Sequence, residues 1–106
     1  MNDDENDMIQ SLLSALSHPL RRDVLRTVIE AGTPMSPKEL AAFHRVTVGD
    51  MSHHVRRLVA VEGVRLVAKR PAARGSTEHF YEAGPACGRP LVRDAIGLEA
   101  GEAAGT

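Results

Sequence analysis

The chain has 106 residues, enough for one small domain with a limited core. Hydrophobic residues make up 42% and aromatics only 3%, with no Trp, so the core must come from Leu, Val, Ile, Ala and Met, a set that favours helix packing. The single cysteine, Cys87, excludes an internal disulfide and a Cys-pair zinc site, and no apolar run approaches the about 20 residues that span a bilayer. The formal net charge of −1 conceals an uneven distribution: all 13 Lys and Arg lie between Arg21 and Arg93, where they face only seven acids. Residues 1–17 and 94–106 carry acids and no Lys or Arg. A basic body with acidic ends suits a polyanion partner. The opening MNDDENDM is the opposite of a signal peptide's basic start, so a cytoplasmic protein with no membrane partner is expected.

The acidic stretch 1–7 reads as disordered. From Met8, apolar residues recur at helical spacing through Ile9, Leu12, Leu13 and Leu16. Ser17-His18-Pro19 ends that helix and starts a second, with Pro in the first turn, where its missing N–H costs nothing. The second helix carries Leu20, Val24, Leu25, Val28 and Ile29 on one face and stops at Ala31-Gly32-Thr33-Pro34. Ser36-Pro37-Lys38-Glu39 has the pattern of a capping box and opens a short third helix whose inner side is Leu40, Ala41 and Phe43. After a turn at His44–Val46, Thr47-Val48-Gly49-Asp50 caps a fourth helix over 47–61, in which Met51, Val55 and Leu58 recur at i, i+4, i+7. Two close helices joined by about three residues make a helix-turn-helix.

Beyond Glu62-Gly63 the period changes to two: Val64, Leu66 and Ala68 alternate with Arg65, Val67 and Lys69 as a strand. Pro71–Ser76 reads as a loop and Thr77–Glu82 as the returning strand, a hairpin with basic residues that forms a wing over 69–77. Leu91–Leu98 reads as a last helix with Leu91, Ala95 and Leu98 on one face. The expected organisation is a disordered acidic start (1–7), a winged helix-turn-helix domain (8–84), a linker with a short C-terminal helix (85–99) and a loose tail (100–106). The fold class is mainly α with a small β-hairpin.

In a helix-turn-helix the N-terminal half of the second helix meets base edges in the major groove. The side of helix 47–61 away from Met51, Val55 and Leu58 carries Val48, Gly49, Ser52, His53, Arg56 and Arg57. Gly49 lets the backbone approach closely, Val48 can touch a thymine methyl, and Ser52 and His53 can hydrogen-bond to bases. Arg56 and Arg57 sit one turn on, where phosphates are expected. Lys38 lies near a helix N-terminus that favours a phosphate, and Lys69, Arg70 and Arg74 place charge on the wing. Asp50 reads as a capping residue, with a cytosine amino group as the alternative. His54 is expected at the edge of the core, packed on the first helix of the motif. His53 and His54 diverge by about 100° on a helix and lack a partner at i+4, so they do not form a metal pair. No nucleophile, base and orienting acid fall together, so no catalytic residue, enzyme activity or cofactor is expected.

These segments resemble the winged-helix repressors of the ArsR type. The resemblance is carried by SALSHPLRRDVLRTV (14–28), SPKELAAFHRVTVGDMSHHVRRL (36–58) and RGSTEHFYEA (74–83). A Leu-x-x-Pro-x-Arg-x-x-(Ile/Val)-Leu pattern is partly met by Leu16, Pro19, Arg21, Val24 and Leu25. A recognition-helix pattern is met by Thr47, Ser52, His54, Val55 and Leu58. The resemblance covers about residues 8–84. It implies a homodimeric regulator of transcription that binds double-stranded DNA, each protomer reading half of an inverted repeat. It places the dimer interface on the terminal helices, where the apolar stripes are Ile9, Leu12, Leu13, Leu16 and Leu91, Ala95, Leu98. The metal sensors of this type carry Cys-x-Cys where this chain has KELAAFH, and His ligands in a last helix that here reads RPLVRDAIGLEA. Metal sensing is therefore not carried over, and the effector is unknown. Cys87 is the one candidate for thiol sensing and reads as an incidental residue. The alternative function is a winged-helix protein-interaction or dimerisation module without specific DNA binding.

Overall fold

A computed structural model describes residues 3–98. The element order is α1 (Asp3–Leu16), α2 (Pro19–Ala31), α3 (Pro37–His44), α4 (Val48–Ala60), β1 (Val64–Pro71), β2 (Thr77–Ala83) and α5 (Pro90–Ala95). Among the described residues no helix is long and apolar enough to cross a membrane.

Local chemistry sets the boundaries. His18 caps α2 through its ring, which accepts from the Leu20 N–H, and Pro19 follows in the first turn. Ser36 and Glu39 close a full capping box at α3: the Ser36 hydroxyl accepts from the Glu39 N–H, and the Glu39 carboxylate accepts from the Ser36 N–H. Arg45 ends α3 in the left-handed region at φ 60°, a conformation that favours glycine. Thr47 caps α4 by accepting from the Asp50 N–H at 3.1 Å. The Asp50 carboxylate makes no return hydrogen bond, so this second box is half formed.

The core joins Leu12 and Leu16 of α1, Val24, Leu25 and Val28 of α2, Leu40 and Ala41 of α3, and Met51, Val55 and Leu58 of α4. Burying side chains of this kind stabilises by roughly 1.5–3 kcal/mol each against exposure. Phe43, expected on the inner side of α3, is exposed.

β1 and β2 pair antiparallel from Val64↔Ala83 to Pro71↔Thr77, with a bulge between Leu66 and Ala68. The expected alternation fails before the bulge, since Val64 is buried but Leu66 is exposed, and the bulge then shifts the register beyond Leu66. Met35, just before α3, exchanges two backbone hydrogen bonds with Tyr81 of β2 at 2.8 and 2.9 Å, which fastens the wing to the helix-turn-helix. At the base of the wing the chain crosses itself. A Cβ on Gly84 would lie 2.4 Å from the Glu62 carbonyl oxygen, so only glycine fits.

Three boundaries differ from the sequence expectation. α1 starts at Asp3 rather than Met8, so residues 3–7 are helical and not disordered. Asp3, Asp4 and Glu5 fall in its first turn, where negative side chains offset the positive end of the helix dipole. α5 has six residues and turns Val92 inward, followed by buried Ile96, while Leu91 is exposed. The third difference is the wing, whose strands run to Pro71 and Ala83. The expected loose tail, 100–106, lies outside the described residues.

Candidate nucleic-acid interface

α4 has one inner face, made of Met51, His54, Val55 and Leu58. Successive residues turn by about 100°, so the rest of the helix divides into an outer face and two flanks. Gly49, His53 and Arg56 are outward and exposed. Val48, 49% exposed, and half-buried Ser52 lie on the flank toward the wing. They share a recess of about 340 Å³ with Pro37 and Lys38 of α3 and with Ala72, Ala73 and Ser76–His79 of the wing. The N-terminal ends of α3 and α4 and the wing thus converge on one concave surface.

Arg57 is on the other flank. It lines a groove of about 370 Å³ between α4 and α1, with Gln10, Ser11 and Ser14 opposite. The expectation that Arg56 and Arg57 act as an equivalent pair is therefore modified: only Arg56 shares the outward face with Gly49 and His53. Gly49 needs no explanation from packing, because a Cβ there would find its nearest neighbour, the Thr47 hydroxyl, at 4.0 Å.

Basic residues divide into two groups by what they touch. Lys38, Arg56, Arg57, Lys69 and Arg74 make no hydrogen bond or ion pair within the described residues. Arg70, also assigned to DNA from the sequence, lies over the Phe80 ring at 4.7 Å, a cation–π contact that fixes it along the wing. Arg65 pairs with Glu82 across the strands. Arg22 donates to the Leu16 carbonyl, and Arg26 donates twice to the Ile96 carbonyl, tying α5 to α2.

The wing tip is a tight turn. Arg74 and Gly75 are both left-handed, at φ 60° and 74°, and the Ser76 N–H donates to the Ala73 carbonyl at 3.2 Å. This is a type I′ hairpin turn, whose first central position favours Asn, Asp or Gly. Arginine there stores about 1–2 kcal/mol of backbone strain.

His54 is 9% exposed, at the edge of the core, and its polar partners lie at the start of α2. Its Nδ1 accepts from Arg21 Nε at 3.1 Å, and its ring lies 4.5 Å from that of His18. Burial is the main cause holding its pKa below the ordinary histidine value, followed by His18, Arg21 and His53. His44 is also pushed down by burial, partly offset by Asp23. The His53 and His54 rings stand 5.5 Å apart and tilted, with one His54 nitrogen already committed to Arg21, which does not suit joint metal binding.

Cys87 is buried, and its thiol donates to the Gly63 carbonyl at 3.2 Å. Burial raises its pKa, so little thiolate forms; the residue is part of the core rather than a reactive thiol.

The dimer candidates also divide. Leu12 and Leu16 belong to the protomer's own core, and Ala95 and Leu98 pack against it. Leu13 is 47% exposed, Leu91 37% exposed and Ile9 half-buried. Met8, which opens the α1 stripe but was not assigned to the interface, is exposed on α1 and meets Arg89 Nη1 at 3.8 Å. Its signal was present in the α1 stripe, one residue before Ile9.

Residues 16–64 match the model of a helix-turn-helix domain family. No curated protein matches the chain. Among solved structures, reduced HlyU from Vibrio cholerae is similar at 19% identity and a TM-score of 0.61, covering 90% of this chain and 87% of that one. NolR from Sinorhizobium fredii is similar at 22% identity and a TM-score of 0.60, covering 89% and 82%. An ArsR family transcriptional regulator is similar at 17% identity and a TM-score of 0.59, covering 87% and 81%. Residues 16–64 thus match a helix-turn-helix domain, and the chain shares the winged-helix fold of these solved structures.

Proposed function

We propose that the protein is a sequence-specific DNA-binding regulator of transcription, without enzymatic activity, that acts as a homodimer on an inverted-repeat operator and represses by occupying it. The observation that carries this reading is the concave surface shared by α3, α4 and the wing, with unpaired Lys38 in its lining and unpaired Arg56, Lys69 and Arg74 on the same α4 and wing elements. Gly49, Val48, Ser52 and His53 are the base-reading candidates, because they lie at the N-terminal end of α4 or face outward from it. Lys38, Arg56 and Lys69 are assigned to phosphates. Arg74, held in a strained turn at the tip, is assigned to the adjacent minor groove or its phosphates. Arg57, beside α1, and Arg70, on Phe80, are placed at the margin of the contact. Met8, Ile9, Leu13 and Leu91 are proposed as the partner-facing surface, since they remain accessible on the terminal helices.

Selection from random duplex DNA at near-physiological salt tests the reading. An enriched inverted repeat, lost with Arg56→Ala, is the expected result. Absence of any enriched sequence, with a stable dimer by light scattering, would replace it with a protein-interaction module.

A further inference from the structure

One polar cluster lies away from the DNA-facing surface and fastens the recognition helix from behind. Arg21, at the start of α2, is 8% exposed. Its Nη1 donates to the Ala15 carbonyl of α1 at 3.1 Å, and its Nε donates to His54 Nδ1 of α4 at 3.1 Å. One guanidinium therefore ties three helices together. Arginine has donors only, so His54 Nδ1 must be unprotonated and the ring neutral, with its proton on Nε2. His18, whose ring centroid is 4.5 Å from that of His54, uses its own Nδ1 to accept from the Leu20 N–H and cap α2. Both contacts need a free ring nitrogen, and the Arg21 contact is lost when His54 Nδ1 takes a proton.

The surrounding charges do not welcome a second cation. Arg21 is already positive, His18 and His53 flank the ring, and Arg57 acts on Arg21 from the same helix as His54. Asp50 alone favours the protonated ring, and its influence is the smallest. Resting on the reading that α4 contacts DNA, we propose that Arg21 is a positioning residue for DNA recognition: it holds α4 to the α1–α2 junction through neutral His54, so that acid loosens the helix offered to DNA. His54 is the one polar residue on the inner face of α4, and Met51, Val55 and Leu58 do not titrate. This device opposes the direct effect of His53, where nearby phosphates would favour the proton and strengthen binding in acid.

Two measurements test it. In the DNA-free protein, ¹⁵N NMR of the imidazoles should show His54 as the Nε2–H tautomer, and amide exchange in α4, corrected for intrinsic rates, should accelerate between about pH 7.5 and 5, the histidine range. His54→Asn retains an acceptor for Arg21 and cannot titrate; in that variant the acceleration should fall to the part that His44 contributes. A His54 Nδ1–H tautomer, or equal acceleration in the variant, overturns the proposal without reference to DNA. For the coupling, Kd for the selected duplex is measured against pH in a His53→Gln background, which removes the opposing ring. Binding should weaken with acid by up to about tenfold per pH unit, the limit for one linked proton, and His54→Asn should flatten the profile. Equal slopes with and without His54→Asn overturn it. If no duplex is selected, the DNA reading fails, while the amide-exchange result still decides whether the fastening exists.

Discussion

Gly49→Ala separates folding from recognition at one position. The residue stands second in α4 after the Thr47 cap, where alanine is the better helix former. A Cβ there meets nothing nearer than the Thr47 hydroxyl at 4.0 Å, so the methyl enters open space. Glycine in the middle of a helix costs roughly 0.5–1 kcal/mol relative to alanine, and a first-turn site lies at the low end, about 0.5 kcal/mol. Urea m-values for small proteins are about 1–3 kcal/mol/M, so the unfolding midpoint should rise by roughly 0.2–0.5 M. DNA affinity should move the other way. A methyl forced into a close backbone–DNA contact resembles overpacking, which costs about 1–3 kcal/mol. Each 1.4 kcal/mol is about tenfold in Kd, so a loss of roughly 5- to 140-fold is expected by fluorescence anisotropy. A variant that is more stable and binds DNA undiminished would refute the close approach at Gly49. A variant that is less stable would refute the packing argument itself.

Three further outcomes follow from the geometry. Gly84→Ala should destabilise by about 1–3 kcal/mol or more, because its Cβ falls 2.4 Å from the Glu62 carbonyl oxygen; an unchanged urea midpoint would contradict the crossing. Arg74→Gly should keep or raise stability by about 1 kcal/mol through relief of the left-handed strain, while weakening DNA binding and lowering the salt slope by about one; an unchanged salt dependence would remove Arg74 from the contact. Stability should fall as pH drops below the ordinary histidine value of about 6.5. The sign is set by His44 and His54, whose folded pKa values are depressed, so the unfolded chain takes up protons first; a urea midpoint that stays flat or rises between about pH 7.5 and 5 contradicts it.

Much of the helix-turn-helix was legible because its signals are local. Ser36-Pro37-Lys38-Glu39 specifies a cap within four residues, and the structure forms both of its bonds. The i, i+4, i+7 repeat of Met51, Val55 and Leu58 names the inner face of α4 directly. Non-local packing was not readable. Phe43 fits a helical stripe by spacing, yet it stays exposed at the edge of a recess beside α2, while His44 is the residue that bonds to Thr27. Leu91 fits a stripe equally well, but α5 turns Val92 and then Ile96 toward the core, leaving Leu91 outside. The wing's bulge is similarly invisible, since Val64, Leu66 and Ala68 alternate correctly in sequence.

The charge count points to a polyanion partner without saying which cations serve it. The surplus of cations between Arg21 and Arg93 suggests a DNA-binding body, but the arginines of α2 do not contribute to that surface as free charges. Arg21 binds Ala15 and His54, Arg22 binds Leu16, and Arg26 binds Ile96 and Asp23. A chain with three aromatic residues has few large side chains with which to lock its helices. Guanidinium groups reaching the carbonyls that helices leave unsatisfied at their C-terminal ends supply that locking instead. The charge proposed to face DNA is the smaller unpaired set at Lys38, Arg56, Lys69 and Arg74, on the two motif helices and the wing. Charge that is already hydrogen-bonded inside the protein is unavailable to phosphate without breaking those bonds, so position and partner, rather than the total, decide which arginines can recognise DNA.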